Sequence, residues 1–440
     1  LAISLTMHMR GVLDDNKPVL KQTLQEADEF LHKLTTESTS NSDLFGLYAF
    51  FLMSILHDND RAEKIYEQAI IVNPNHANIL GNYAIFLWTI RHDRDRAEEM
   101  YRRAIEADPA NVRNANNYAN FLMGALHDSD RTEEMYEQAI VADPSHTVTL
   151  SNYANFLWTI RHDLNRAQKM YERAITADPN YAETLGAYAL FLEEISKDDH
   201  DRTEEMYKRA IKVNPNHIRN LNNYALFLTN ILHNYDRAEE TYKDAIEVDP
   251  TNAYILGNYA LFLETIRRDY DRAEDMFERA IDASPKHARN LGNYANFLKT
   301  VRGDSNRAQA MYERAVDADP TNANSLGNYS QLLFATGQDE AAIVLATRAL
   351  SLASTDEKPL VAECRFYLFA HSPEHRRESG ESLRDLLAAG VTTGSWSFEP
   401  NLERLRREKD PRYDLVRDVA DALSSGDTQT LESRGEWYAL

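Results

Sequence analysis

The chain has 440 residues, 43% of them hydrophobic and 10% aromatic, with a formal net charge of −22. That apolar content excludes wholesale disorder, and the acidity repels phosphate backbones and anionic lipid surfaces, so neither nucleic acid nor membrane is an expected partner. The single cysteine, Cys364, excludes an intramolecular disulfide and a multi-cysteine zinc site, and fits a reducing, cytoplasmic setting. No apolar run is long enough to predict a membrane-spanning helix. Leu1–Arg10 lacks a basic leader and does not read as a secretory signal. Leu1 is not a start methionine, so the natural chain is expected to extend before it.

In chain order, residues 1–40 come first. Leu13, Leu20, Leu24, Phe30, Leu31 and Leu34 predict an amphipathic helix that covers the first repeat, and Ser38–Ser42 a polar joint. From residue 41 a repeat takes over. One tyrosine recurs at Tyr48, Tyr83, Tyr118, Tyr153, Tyr188, Tyr224, Tyr259, Tyr294 and Tyr329, every 35 residues except for 36 between Tyr188 and Tyr224. A proline keeps the same beat from Pro74 to Pro320. Two series in phase define nine units over residues 41–352.

Each unit predicts two helices. In the second unit, Ile79, Leu80, Tyr83, Ala84, Phe86, Leu87 and Ile90 form one apolar face at helical spacing. The start signal Asp95-Arg96-Ala97-Glu98 then reads as a capping box, with Asp95 as N-cap, and it recurs as Asp60…Glu63, Asp130…Glu133, Asp201…Glu204, Asp236…Glu239 and Asp271…Glu274. Asn165…Gln168 and Asn306…Gln309 are its neutral forms. The second helix runs to Asp108-Pro109, where proline stops it. The longer turn Ser196-Lys197-Asp198-Asp199-His200 accounts for the 36-residue interval. Neither stripe can be hidden within one unit, so stacked neighbours must share a continuous core.

At these residues the chain resembles the tetratricopeptide repeat family, with one extra residue in the turn inside each unit. The family's small residue early in the second helix matches Ala97, its aromatic matches Tyr101, and its second small residue matches Ala104, with the same series in the other units. The first-helix signature departs from the family: Leu80 stands where Trp is common, Tyr83 where Leu is usual, and Ala84 where Gly is usual. Tyr-Ala-x-Phe-Leu is also similar to half-a-TPR units of RNA-processing scaffolds, and pentatricopeptide repeats share the 35-residue period. The acidity and the Asp-Pro ending favour the tetratricopeptide assignment. The resemblance covers residues 41–352. It implies an all-α, right-handed α-solenoid of nine helix-turn-helix repeats with helical caps.

After Leu352 the period decays. Pro359–Ala370 and Glu374–Ala389 predict a degenerate helix pair, Leu402–Lys409 and Asp414–Leu423 further helices, and residues 353–440 together a cap. The loop Gly390–Pro400 carries Trp396 and Phe398.

No phosphate loop, nucleophile elbow, zinc motif or dinucleotide fingerprint is present, so the chain is read as non-enzymatic, without a cofactor or metal. The pairs His57-Asp58, His92-Asp93, His127-Asp128 and His162-Asp163 read as solvated turn residues. His371 and His375 are split by Pro373, which breaks the helix that would align them on a metal, and Cys364 reads as a small buried residue.

The residue before each tyrosine is Asn82, Asn117, Asn152, Asn223, Asn258, Asn293 or Asn328, with Ala187 and Leu47 as exceptions. About 100° round the helix from the core tyrosine, these amides face the groove lined by the first helices. In superhelical tetratricopeptide proteins of the O-GlcNAc transferase and importin type, asparagines at this position form a ladder holding peptide backbone. The competing reading is that each amide bonds a neighbouring helix and fixes the stacking. Asn120, Asn155 and Asn296, three residues past their ladder partners, belong to the same face. Trp88 and Trp158 share one repeat position that elsewhere holds Met123, Glu193, Thr229, Glu264 and Lys299, and read either as groove anchors or as packing on the next first helix. A chaperone-type carboxylate clamp is not expected, because Gly46 and Phe50 stand where its lysines belong.

The expected function is a scaffold or adaptor holding a partner polypeptide, an extended and basic segment, in the groove. Two alternatives stay open: an RNA-processing scaffold, for which Arg113, Arg219 and Arg289 are the only basic hint, and a regulatory adaptor for an effector enzyme encoded elsewhere.

Overall fold

The computed structural model describes residues 17–38, 40–195, 199–394 and 397–438. Leu13, Ser196, Lys197, Asp198 and Trp396 lie outside the described residues, as do the side chains of residues 17–20. Helix α1 (Lys17–Glu37) is followed by nine pairs of a first helix, A, and a second, B. In the first unit of packing, Leu1–Asn220, these are α2 (Ser42–Phe51) and α3 (Asn59–Val72), α4 (Ala77–Phe86) and α5 (Arg94–Ala107), α6 (Val112–Phe121) and α7 (Ser129–Ala142), α8 (Thr147–Thr159) and α9 (Leu164–Ala177), and α10 (Ala182–Ile195) and α11 (His200–Val213). Helix α12 (Ile218–Asn230) runs into the second unit, Leu221–Leu440. There α13 (Tyr235–Val248), α14 (Ala253–Phe262), α15 (Tyr270–Ala283), α16 (Ala288–Phe297), α17 (Ser305–Ala318), α18 (Ala323–Thr336) and α19 (Asp339–Leu352) complete the nine pairs. A tenth pair, α20 (Lys358–His371) and α21 (Arg376–Ala388), keeps the pattern. The end is α22 (Glu399–Glu408), α23 (Tyr413–Ser425), α24 (Gln429–Glu432) and α25 (Gly435–Tyr438). Among the described residues there is no strand, and no helix is long and apolar enough to cross a membrane.

All nine repeated tyrosines are buried, as the helical face required. Seven of them, Tyr83 to Tyr188 and Tyr259 to Tyr329, meet the B-helix ring of the preceding pair, as Tyr66 meets Tyr83 at 5.3 Å and Tyr101 meets Tyr118 at 5.3 Å, while alanines such as Ala97 and Ala104 let the helices close. The apolar face of α4 is buried as expected up to Leu87, but Ile90 is 36% exposed. In α1, Leu31 packs on the first-unit core whereas Phe30 is 61% exposed, so the expected stripe is narrower than its sequence.

In five pairs a turn supplies the extra residue of the 35-residue period. Five A helices end in a single π-turn, at Leu52–Leu56, Leu87–Arg91, Leu122–Leu126, Leu263–Arg267 and Leu298–Arg302. A π-turn holds one residue more than an α-turn. The next residue is left-handed: His57, His92, His127, Arg268 or Gly303. The chain then turns so that the Asp93 N–H reaches the Leu87 carbonyl at 2.9 Å.

The capping box needs correction. The N-caps are Asp58, Asp93, Asp128, Asp163, Asp199, Asn234, Asp269 and Asp304, two residues before the expected ones. Each accepts the backbone N–H three residues on, as Asp93 does from Arg96 at 3.1 Å. The left-handed residue forces this shift, because it places the extended cap residue directly after itself. Asp60 and Glu63 instead serve the next pair: Arg91 reaches Glu63 and Asp60, each at 2.7 Å, and Arg96 reaches Glu63 at 2.9 Å and the Tyr83 hydroxyl. The same bracket recurs with Arg161 and Arg166 on Glu133, Arg267 and Arg272 on Glu239, and Arg302 and Arg307 on Glu274. Burial opposes the ionised form of Glu239, but hydrogen bonds from Arg272 and Lys243 outweigh it and draw its carboxyl down to about 2.

Candidate functional site

Within each unit successive A helices pack on one another, α4 on α6 on α8 and α14 on α16 on α18, more closely than successive B helices do. The tighter row of a curved double layer is its inner row, so the A helices line the inner face. Leu47, first occupant of the column that precedes each tyrosine, is 56% exposed, and the later occupants are half-buried apart from the buried Asn258.

The asparagines of this column fall into two groups. Asn152 donates to Asn116 at 3.1 Å, and Asn258 donates to Asn222 at 2.8 Å, so both tie neighbouring A helices together. Asn258 is 4% exposed, and its carbonyl also accepts from Arg289 at 2.9 Å. Asn117 and Asn223 accept from Asn116 and Asn222, their chain neighbours, at 3.4 Å. Asn82, Asn293 and Asn328 are half-buried, with no hydrogen bond among the described residues. Arg289 also lies over the ring of Tyr254, and Arg113 bonds Asn78 at 3.2 Å, so two of the three candidate basic residues are engaged.

Asn120, Asn155 and Asn296 hold their amides against the core. Each carbonyl accepts the hydroxyl of its pair's B-helix tyrosine: Tyr136 at 2.6 Å, Tyr171 at 2.5 Å and Tyr312 at 2.5 Å. Where the corresponding residue is apolar, at Phe50 and Ile85, the hydroxyls of Tyr66 and Tyr101 are buried without a partner. Trp88 and Trp158 are half-buried, each edge-on to a phenylalanine of the next A helix: Phe121 at 5.5 Å and Phe191 at 5.6 Å. In the same column Lys299 reaches Gln331 at 2.5 Å, and burial lowers its ammonium to about 8. Glu363, one period after Asn328, is raised by burial to about 8, partly offset by Lys299. Among the described residues no group of His, Cys, Asp and Glu could hold a metal; Cys364 is buried and its thiol is raised by burial to about 12.

One stretch of polypeptide already lies on this face. The Gln331 amide donates to the Ser397 carbonyl at 3.0 Å, and Phe398 is buried against Phe366 at 4.2 Å. Arg404 donates to the Phe334 carbonyl at 2.6 Å and to Asp339 at 2.8 Å, and Trp437 stands edge-on to Phe369 at 5.7 Å. Gln331 and Phe366 continue the column of Asn296, and Phe369 that of Trp88, so the C-terminal segment covers the inner face of α18 and α20. The sequence reading took this end as a cap and missed Gln331 and Arg404. The 35-residue step from Asn296 to Gln331 was the available signal.

A family model described as tetratricopeptide repeat matches residues 302–359, and a second of the same description matches residues 56–112 and 232–295. Among solved structures, a tetratricopeptide repeat protein from Parabacteroides merdae is 20% identical over 57% of this chain and 98% of its own, with a TM-score of 0.45. Yeast Tom70 is 13% identical over 95% and 97% of the two chains, with a TM-score of 0.45. YrrB, titled a TPR protein with an unusual peptide-binding site, is 17% identical over 43% of this chain and 95% of its own, with a TM-score of 0.32. No curated protein matches. The family models fall within the run of phased tyrosines and repeated helix pairs, and show that this chain carries tetratricopeptide repeats.

Proposed function

We propose that the protein is a non-enzymatic scaffold whose A-helix face holds a segment of a partner polypeptide. The observation that supports this most directly is the docking of residues 397–404, in which an inner-face amide, Gln331, takes a main-chain carbonyl and an aromatic ring fills the space beside it. Asn82, Asn293 and Asn328 present amides of the same chemistry with hydrogen-bonding capacity to spare, since an amide side chain offers two donors and an acceptor. Asn120, Asn155 and Asn296 keep their N–H groups for a ligand while their carbonyls are occupied from below. Trp88 and Trp158 add two half-buried indoles, suited to apolar side chains of the partner. Asn152 and Asn258 contribute by setting the spacing of the A helices, while Asn117 and Asn223 bond their chain neighbours on the same helix. The net charge of −22 favours a basic partner.

The test is photo-crosslinking in cells, with a benzophenone amino acid at Asn293 and, as a control, at Lys169 on a B helix. The expected result is a discrete polypeptide adduct from Asn293 that Asn328→Ala weakens, and none from Lys169. Equal adducts from both faces, or RNA as the main product, would reject the reading.

A further inference from the structure

The rings that the first eight B helices place in the core follow a rule. Where it carries a hydroxyl and the inner face offers an acceptor, the two are joined. Tyr136, Tyr171 and Tyr312 meet asparagines, and Tyr207 meets the carboxylate of Glu193 at 3.1 Å. Glu193 stands five residues after its A-helix tyrosine, in the column of the two tryptophans.

The seventh pair keeps the carboxylate and loses its donor. Glu264 stands five residues after Tyr259, as Glu193 does after Tyr188, but the ring below it is Phe277. Phe277 is fully buried, stacked on Tyr294 at 5.6 Å, and has no hydroxyl to give. Glu264 is half-buried and makes no hydrogen bond or ion pair among the described residues. Burial raises its carboxyl to about 7. Its neighbour in the column, Lys299, turns to Gln331 instead. A carboxylate that folding partly dehydrates and leaves unpaired costs stability. The chain's own Arg404 meets the Asp339 carboxylate at the start of α19, and on the inner face Glu264 is likewise suited to a cation, one brought in by a ligand.

We propose that Glu264 is the receptor for a cationic side chain, arginine or lysine, of the bound partner segment. The inference rests on the inner face as the polypeptide-binding surface and deepens that reading. It fixes one feature of the partner, a positive charge at the seventh pair, that net charge alone does not locate.

The experiment uses the full chain and a blocked nonapeptide of alanines around a central arginine, with its uncharged citrulline twin. Calorimetry should show the arginine peptide binding about tenfold more tightly than the twin. The ¹³C signal of the Glu264 carboxyl should titrate at lower pH in its presence. Glu264→Gln should abolish the difference between the peptides. Phe277→Tyr should shrink it, because the new hydroxyl would occupy the carboxylate as Tyr207 occupies Glu193. Equal binding of the two peptides, or a preference that survives Glu264→Gln, would overturn the proposal. If crosslinking from Asn293 persists in that case, only the cationic receptor fails; if it is lost as well, the inner-face reading fails with it.

Discussion

At the scale of the residue, the molecule repeats one chemical problem and solves it several ways. A tyrosine on seven of the nine B helices buries its ring, and its hydroxyl then needs an acceptor. Asn120, Asn155 and Asn296 supply one, whereas Tyr66 and Tyr101 are left with orphaned hydroxyls. An unsatisfied buried hydroxyl costs roughly 1–3 kcal/mol, and so does an acceptor deprived of its donor. Tyr101→Phe should therefore be neutral or stabilising by up to about 1 kcal/mol, while Tyr171→Phe strands the Asn155 carbonyl and should cost about 1–2 kcal/mol. Denaturant midpoints of the two variants check this. Equal losses would mean that the two hydroxyls are alike in solution.

At the scale of the element, the turn inside each pair decides where the B helix starts. The sequence reading chose Asp95 because Glu98 follows it at capping-box spacing, a pattern correct in form and two residues out of place. It could not see that His92 adopts φ of 56° and that the A helix ends in a π-turn, both consequences of how the two helices meet. Asp93→Ala should remove the side-chain cap on Arg96 N–H and cost about 1 kcal/mol, whereas Asp95→Ala, at an exposed first-turn position, should cost a few tenths of that. Thermal melts of the two single variants distinguish the positions, and a larger loss from Asp95→Ala would restore the original capping box.

At the scale of the whole molecule, consecutive pairs are joined by arginine brackets as well as by the apolar core. Burial works against the charge on Glu133, Glu239 and Glu274, yet arginines hold all three carboxyls below their usual range. For Glu239 the folded-state value is about 2, below the ordinary value of about 4.5, so the bracket contributes above the higher of these and is lost as the pH falls towards the lower. The expected loss for this one link between pH 5 and pH 2 is on the order of 2–3 kcal/mol. Because each pair contacts mainly its neighbours, hydrogen exchange at low pH should rise first in α13 to α16, around that link. Glu239→Gln should flatten this acid dependence; an unchanged profile in that variant would show that other groups carry it.

Much of the fold was legible in the sequence, because a 35-residue period in tyrosine and proline permits few packings and helical spacing marks which face is buried. The nine inward tyrosines, the alanines at helix crossings and the first four helices beyond Leu352 followed from local pattern, whereas the short α24 and α25 did not. The inner face was legible only as a set of columns. Whether an asparagine in such a column bonds its neighbour, as Asn258 bonds Asn222, or keeps its amide unoccupied, as Asn293 does, depends on distances between helices a full period apart. The same holds for the C-terminal segment, whose Arg404 finds Asp339 across 65 residues of chain. Local sequence determines which residues a helix turns inward, since side-chain direction repeats with the helical turn. Only the tertiary structure decides which polar groups are left unpaired, since pairing depends on what the neighbouring helix brings to the same spot, as Phe277 shows beneath Glu264.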